Sequence, residues 1–127
     1  MVNRFFGFFL MVSFLLAQFD WIDGGAPIRQ GQHIEWQRTA GDGMPGEVIF
    51  AWSDTRDSMR DVYVQKIDAQ GNKLWGEKGI AVTTAYGRQE DPLLVGDDNG
   101  GAFVIWIDYR DEPDTKGDVY AQHVLSD

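Results

Sequence analysis

The chain repeats itself, and that repeat limits its fold more than any other feature of the sequence. Gly46-Glu47-Val48-Ile49-Phe50-Ala51-Trp52-Ser53-Asp54-Thr55-Arg56-Asp57 returns 54 residues later as Gly100-Gly101-Ala102-Phe103-Val104-Ile105-Trp106-Ile107-Asp108-Tyr109-Arg110-Asp111. Asp61-Val62-Tyr63-Val64-Gln65 returns as Asp118-Val119-Tyr120-Ala121-Gln122 at an offset of 57, so the intervening loop is three residues longer in the second unit. Upstream, Trp21, Gly25 and Ile28 stand 54 residues before Trp75, Gly79 and Val82.

The repeated segments read as short strands. His33–Thr39, Glu47–Ser53 and Asp61–Asp68 are predicted in the first unit, and Pro92–Gly96, Ala102–Asp108 and Asp118–Leu125 in the second. Gly79–Thr84 is predicted as a fourth strand. Ala102–Asp108 is apolar at nearly every position, as in a strand buried on both faces. Asp97-Asp98-Asn99-Gly100-Gly101 and Ala69-Gln70-Gly71-Asn72 carry turn residues. Four short strands recurring at slightly more than ~40–50 residues match the arithmetic of a propeller blade. The expected fold is all-β, with antiparallel four-stranded blade repeats forming a partial β-propeller of about two blades. Units are expected at 33–84 and 91–127, with 19–30 as a blade-completing strand. Aligning Gln65 with Gln122 sets Asp127 opposite Gln70, so the second unit is expected to be incomplete. The sequence thus reads as a fragment of a larger propeller, whose remaining blades come from a longer chain or from identical copies.

The first seventeen residues differ in kind. Met1-Val2-Asn3-Arg4 is a short basic start, and Phe5–Leu16 is apolar except for Gly7 and Ser13. Ala17 precedes Gln18 as a small residue suited to cleavage. Residues 1–17 are read as a secretory signal peptide, with 18–127 as the exported repeat region and no membrane span after cleavage. The net charge of −9 opposes binding to a phosphate backbone, so no nucleic-acid partner is expected. The absence of cysteine excludes a disulfide framework, a thiolate metal site and a cysteine nucleophile.

The combined pattern of Gly-Gly before an apolar run, Trp-x-Asp-x-Arg, Asp-Val-Tyr-x-Gln and Gly-Asn-x-Leu-Trp-Gly with Gly-Ile-Ala-Val resembles repeats in large bacterial secreted propeller-like proteins. Many of those resemble substrates of the type IX secretion pathway. The resemblance spans Phe19–Asp127. It implies an extracellular or cell-surface location and a binding role, and it implies no reaction.

Trp52, Asp54 and Arg56, with their counterparts Trp106, Asp108 and Arg110, are the candidate binding residues. As a polar and aromatic rim they suit a glycan or a protein ligand. As recurrent positions they equally suit an Asp–Arg pair and a packed Trp that fix each unit, and repetition at equivalent places favours that structural role. Asp54, Asp57 and Asp61, or Asp108, Asp111, Asp114 and Asp118, offer hard oxygen ligands for calcium, but each cluster contains an opposing Arg. His33 and Glu35 alternate on one strand, and His123 stands where Lys66 stands; both histidines read as ordinary side chains. No Gly-x-Ser-x-Gly elbow, phosphate loop or His-Glu-x-x-His occurs. The expectation is a non-catalytic extracellular binding or structural repeat protein without a cofactor. The alternatives are a lectin assembled from several copies and a sialidase-like glycan hydrolase.

Overall fold

Residues 25–31, 34–41 and 43–127 are described in a computed structural model of the chain. The expected leader (1–17), His33 and the first part of the expected strand over 19–30 lie outside the described residues.

β-Branched and aromatic residues dominate the repeated segments, and these form strands. In chain order they are β1 (Glu35–Gly41), β2 (Val48–Asp54), β3 (Asp61–Ile67), β4 (Ile80–Ala81), β5 (Gln89–Gly96), β6 (Ala102–Asp108) and β7 (Asp118–Val124). They make two antiparallel sheets, β1-β2-β3-β4 and β5-β6-β7, each strand beside its neighbour in sequence. Neither closes into a barrel among the described residues. The registers repeat: Trp52 opposes Tyr63 as Trp106 opposes Tyr120, and Phe50 opposes Gln65 as Val104 opposes Gln122. The ladder shifts between Glu35 and Arg38 in β1 and again between Glu90 and Leu93 in β5, so a bulge recurs at the same place.

Alternation gives each sheet two faces. In the first, Ile49, Ala51, Val62 and Val64 share one face, and Phe50 and Trp52 the other. In the second, Phe103, Ile105 and Ala121 share one face, and Ala102, Val104 and Trp106 the other. The core forms where the Ala51 face of the first sheet meets the Trp106 face of the second, with Trp75 and Val82 completing it. Burying a Val or Ile side chain there stabilises by about 1.5–3 kcal/mol. Arg38 with Asp91 (2.9 Å) and Arg60 with Glu90 (2.6 Å) tie the sheets together at the margin.

Three strand expectations are corrected. β6 is buried on one face only, with Phe103 45% exposed, because no second layer covers its Ile105 face among the described residues. The fourth strand shrinks to Ile80–Ala81, because the chain bends at Val82, whose amide still donates to the Val62 carbonyl at 2.9 Å, and then turns away with the Ala85 amide bonded to Thr83 Oγ1 at 3.2 Å. The described part of the expected closing strand, 25–30, is irregular, and Arg29 anchors it through Asp54 instead.

Candidate functional site

The strand end of β2 brings Trp52 and Asp54 to one face, two residues apart, and the turn after it returns Arg56 over the same face. Asp54 is fully buried. It accepts from the Trp52 indole Nε1 at 2.8 Å, from the Arg56 amide at 3.0 Å and from Arg56 Nη2 at 2.6 Å. Arg29 Nε adds a bond at 3.1 Å. The Arg56 guanidinium lies 3.6 Å from the centre of the Tyr63 ring, which stacks on Trp52 at 6.3 Å. Arg56 Nη1 also donates to the Lys78 carbonyl at 2.8 Å, fastening the loop before β4.

The second unit rebuilds the same cluster. Asp108 is fully buried and accepts from Trp106 Nε1 at 2.8 Å, the Arg110 amide at 2.9 Å and Arg110 Nη2 at 2.6 Å. Arg110 lies 3.9 Å from the centre of the Tyr120 ring, and Trp106 stacks on Tyr120 at 6.1 Å. Cation–π contacts of this kind contribute about 0.5–2 kcal/mol.

Burial alone would raise the carboxyl pKa of Asp54. The hydrogen bonds from Arg56 and Trp52, then the Arg56 amide and Arg29, outweigh it and hold the group well below the usual carboxylate range. Asp108 follows the same balance, with Arg110 and Trp106 overcoming burial. Both aspartates are therefore ionised acceptors whose oxygens are already engaged. They suit positioning, not proton donation.

The six candidate residues thus gather into two separate clusters, one per sheet, rather than one shared site. Trp52 and Trp106 are buried, so their ring faces serve packing. Asp57 accepts from the Tyr63 hydroxyl at 2.7 Å. Asp61 sits opposite Asp54 at the start of β3, and burial, then the charges of Asp57 and Asp54, push its pKa up to about 6. Asp118 accepts from the Thr115 hydroxyl at 2.8 Å. Among the described residues, no group of three or more acidic or histidine side chains converges to hold a metal ion. Glu35 pairs with Arg60 at 3.2 Å. His123 bonds Asp97 at 2.7 Å and stacks on Phe103 at 4.3 Å.

Sequence reasoning on single positions missed Tyr63, Tyr120 and Gln65 as members of the framework, although the repeated Asp-Val-Tyr-x-Gln motif marks all three. Arg29 carries no such signal, because its repeat counterpart is Thr83. A groove of about 560 Å³ opens beside the first cluster, lined by Ile28, Arg29, Ile34, Thr39, Phe50 and Trp52.

Comparison with protein-family models, with curated proteins and with solved structures finds no match to this chain.

Proposed function

We propose that this chain is a non-catalytic extracellular or cell-surface repeat protein with a binding or structural role, whose two sheets are blade-like units of a larger propeller-type array. One observation carries the reading. The same Trp–Asp–Arg–Tyr cluster is built in both sheets, and in each the buried carboxylate is bonded within the cluster. A group that recurs with the same partners in successive units supports each unit, whereas a catalytic site draws different residues to one point. Export is supported by the basic start and apolar run over 1–17.

The test is a panel of sialosides and polysaccharides incubated with the chain recovered after export, its N-terminus read by mass spectrometry. The reading expects an N-terminus near Gln18 and no turnover. Turnover that Arg110→Lys removes while the melting temperature holds would overturn it.

A further inference from the structure

The contact between the two sheets joins unlike faces. The Ala51 face of one unit meets the Trp106 face of the next. A face-to-back contact of this kind leaves both of its surfaces available again at the two ends. At one end lies the Ile105 face of the second sheet, the repeat counterpart of the Ala51 face. There Leu93, Val95 and Phe103 are exposed and Val119 is 71% exposed, whereas Ile49, Val62 and Val64 are buried in the first sheet. At the other end lies the Trp52 face with its groove, the counterpart of the Trp106 face.

The edge of β7 is open in the same way. In the first sheet Gln65 is fully buried: its Oε1 accepts from the Trp75 amide at 3.0 Å and its Nε2 donates to the Gly76 carbonyl. Gln122 holds the same register position and is exposed. Arg56 is 13% exposed beneath the Lys78 carbonyl, whereas Arg110 is 29% exposed. The segment that covers β3 has one sequence counterpart in this chain, Trp21-Ile22-Asp23-Gly24-Gly25, matching Trp75-Gly76-Glu77-Lys78-Gly79. Gly25 (φ 85°) shares the left-handed backbone of Gly79 (φ 72°). A Cβ on Gly79 would strike Val64 and Trp52, but a Cβ on Gly25 would meet open space. Ile28 already lines the groove over the Trp52 face, as its counterpart Val82 packs in the core with Trp106.

We propose that copies of this chain join head to tail. The Gly25–Ile28 segment of one copy lies along β7 of the next, and the Ile105 face fills the groove over the Trp52 face. This rests on reading the chain as a repeat-built structural or binding protein. The Arg38–Asp91 and Arg60–Glu90 pairs are not reproduced at the new contact, because the counterparts of Arg38 and Arg60 are Leu93 and Gly117. Association between copies is therefore weaker than the packing within a chain, and it depends on concentration.

The chain has no cysteine, which makes a directional cross-link clean. Ile80 pairs with Val64, so Ala26 of one copy is placed opposite Ala121 of the next. Opposed Cβ atoms in an antiparallel pair stand ~5 Å apart, within reach of a disulfide after small adjustment. Two exported variants, Ala26→Cys and Ala121→Cys, are mixed and oxidised mildly, and their melting curves are compared with that of the parent chain. The expected result is a mixed disulfide dimer that exceeds either homodimer and falls at least about tenfold when the Ala121→Cys chain also carries Phe103→Asp, equivalent to a loss of ~1.4 kcal/mol in association. A mixed dimer no more abundant than with Phe103→Asp overturns the proposal, as does a parent chain that keeps a single-chain mass across a concentration series. Either result would leave the face to a further unit of a longer chain. The cross-link reads contact alone, so its failure is distinct from turnover on the glycan panel.

Discussion

Gly79 backs onto the carbonyl of Val64 so closely that no Cβ fits between them, and a Cβ there would also lie 2.9 Å from the Trp52 ring. The loop before β4 can then approach β3 and let Arg56 reach the Lys78 carbonyl. Gly79→Ala combines a left-handed backbone, which costs an L-residue about 1–2 kcal/mol, with this collision. We expect a loss above ~2 kcal/mol in urea unfolding. Gly25→Ala, with open space around it, is expected to lose less in the single chain.

Gln65 and Gln122 separate buried from exposed chemistry at one register position. Gln65→Ala strips a partner from the Trp75 amide and the Gly76 carbonyl, and is expected to cost about 1–3 kcal/mol. Gln122→Ala, at an exposed position, is expected to stay within about 0.5 kcal/mol in dilute solution. Chemical denaturation of the two variants side by side checks the difference.

Asp61 and Asp54 act on stability in opposite directions with pH. The Asp61 pKa is raised from 3.8 to about 6, so the folded state holds its proton more tightly than the unfolded chain does. Stability contributed by that proton is present below pH ~4 and is lost as pH rises through ~6. Asp61→Asn is therefore expected to melt higher than the parent at pH 8, and the difference is expected to close at pH 4. The lowered pKa of Asp54 works the other way: its stability is present above ~4 and is lost as pH falls below it. A melting series over pH 3–8 on both chains reads the two effects.

Much of the strand pattern was legible because the repeat aligned residues that face the same way. The expected Ala102–Asp108 matches β6 to the residue, β3 and β7 each end one residue earlier than expected, and β2 is shifted by one residue at both ends. The apolar run in β6 could not reveal that its Ile105 face is open, since a covered strand and an uncovered one read alike. Gly79–Thr84 and 19–30 read as strands because repetition marks two segments as equivalent without marking their backbone: the first bends at Val82, and the described part of the second is irregular with Arg29 bonded to Asp54. The Trp, Asp and Arg of each cluster were visible as repeated letters. Their bonding was not, because Trp-x-Asp-x-Arg becomes one bonded unit only when the strand end turns Arg back over Asp.

If the two Trp–Asp–Arg clusters hold the sheets rather than serve a ligand, Asp108→Ala must unfold far more readily than the parent chain in equilibrium urea unfolding. Removal of the buried carboxylate leaves Trp106 Nε1 and the Arg110 guanidinium without their shared acceptor. The expected loss is about 3–5 kcal/mol, as for a broken buried ion pair. A change within about 0.5 kcal/mol, or a gain such as follows when a strained functional site is relieved, would contradict it.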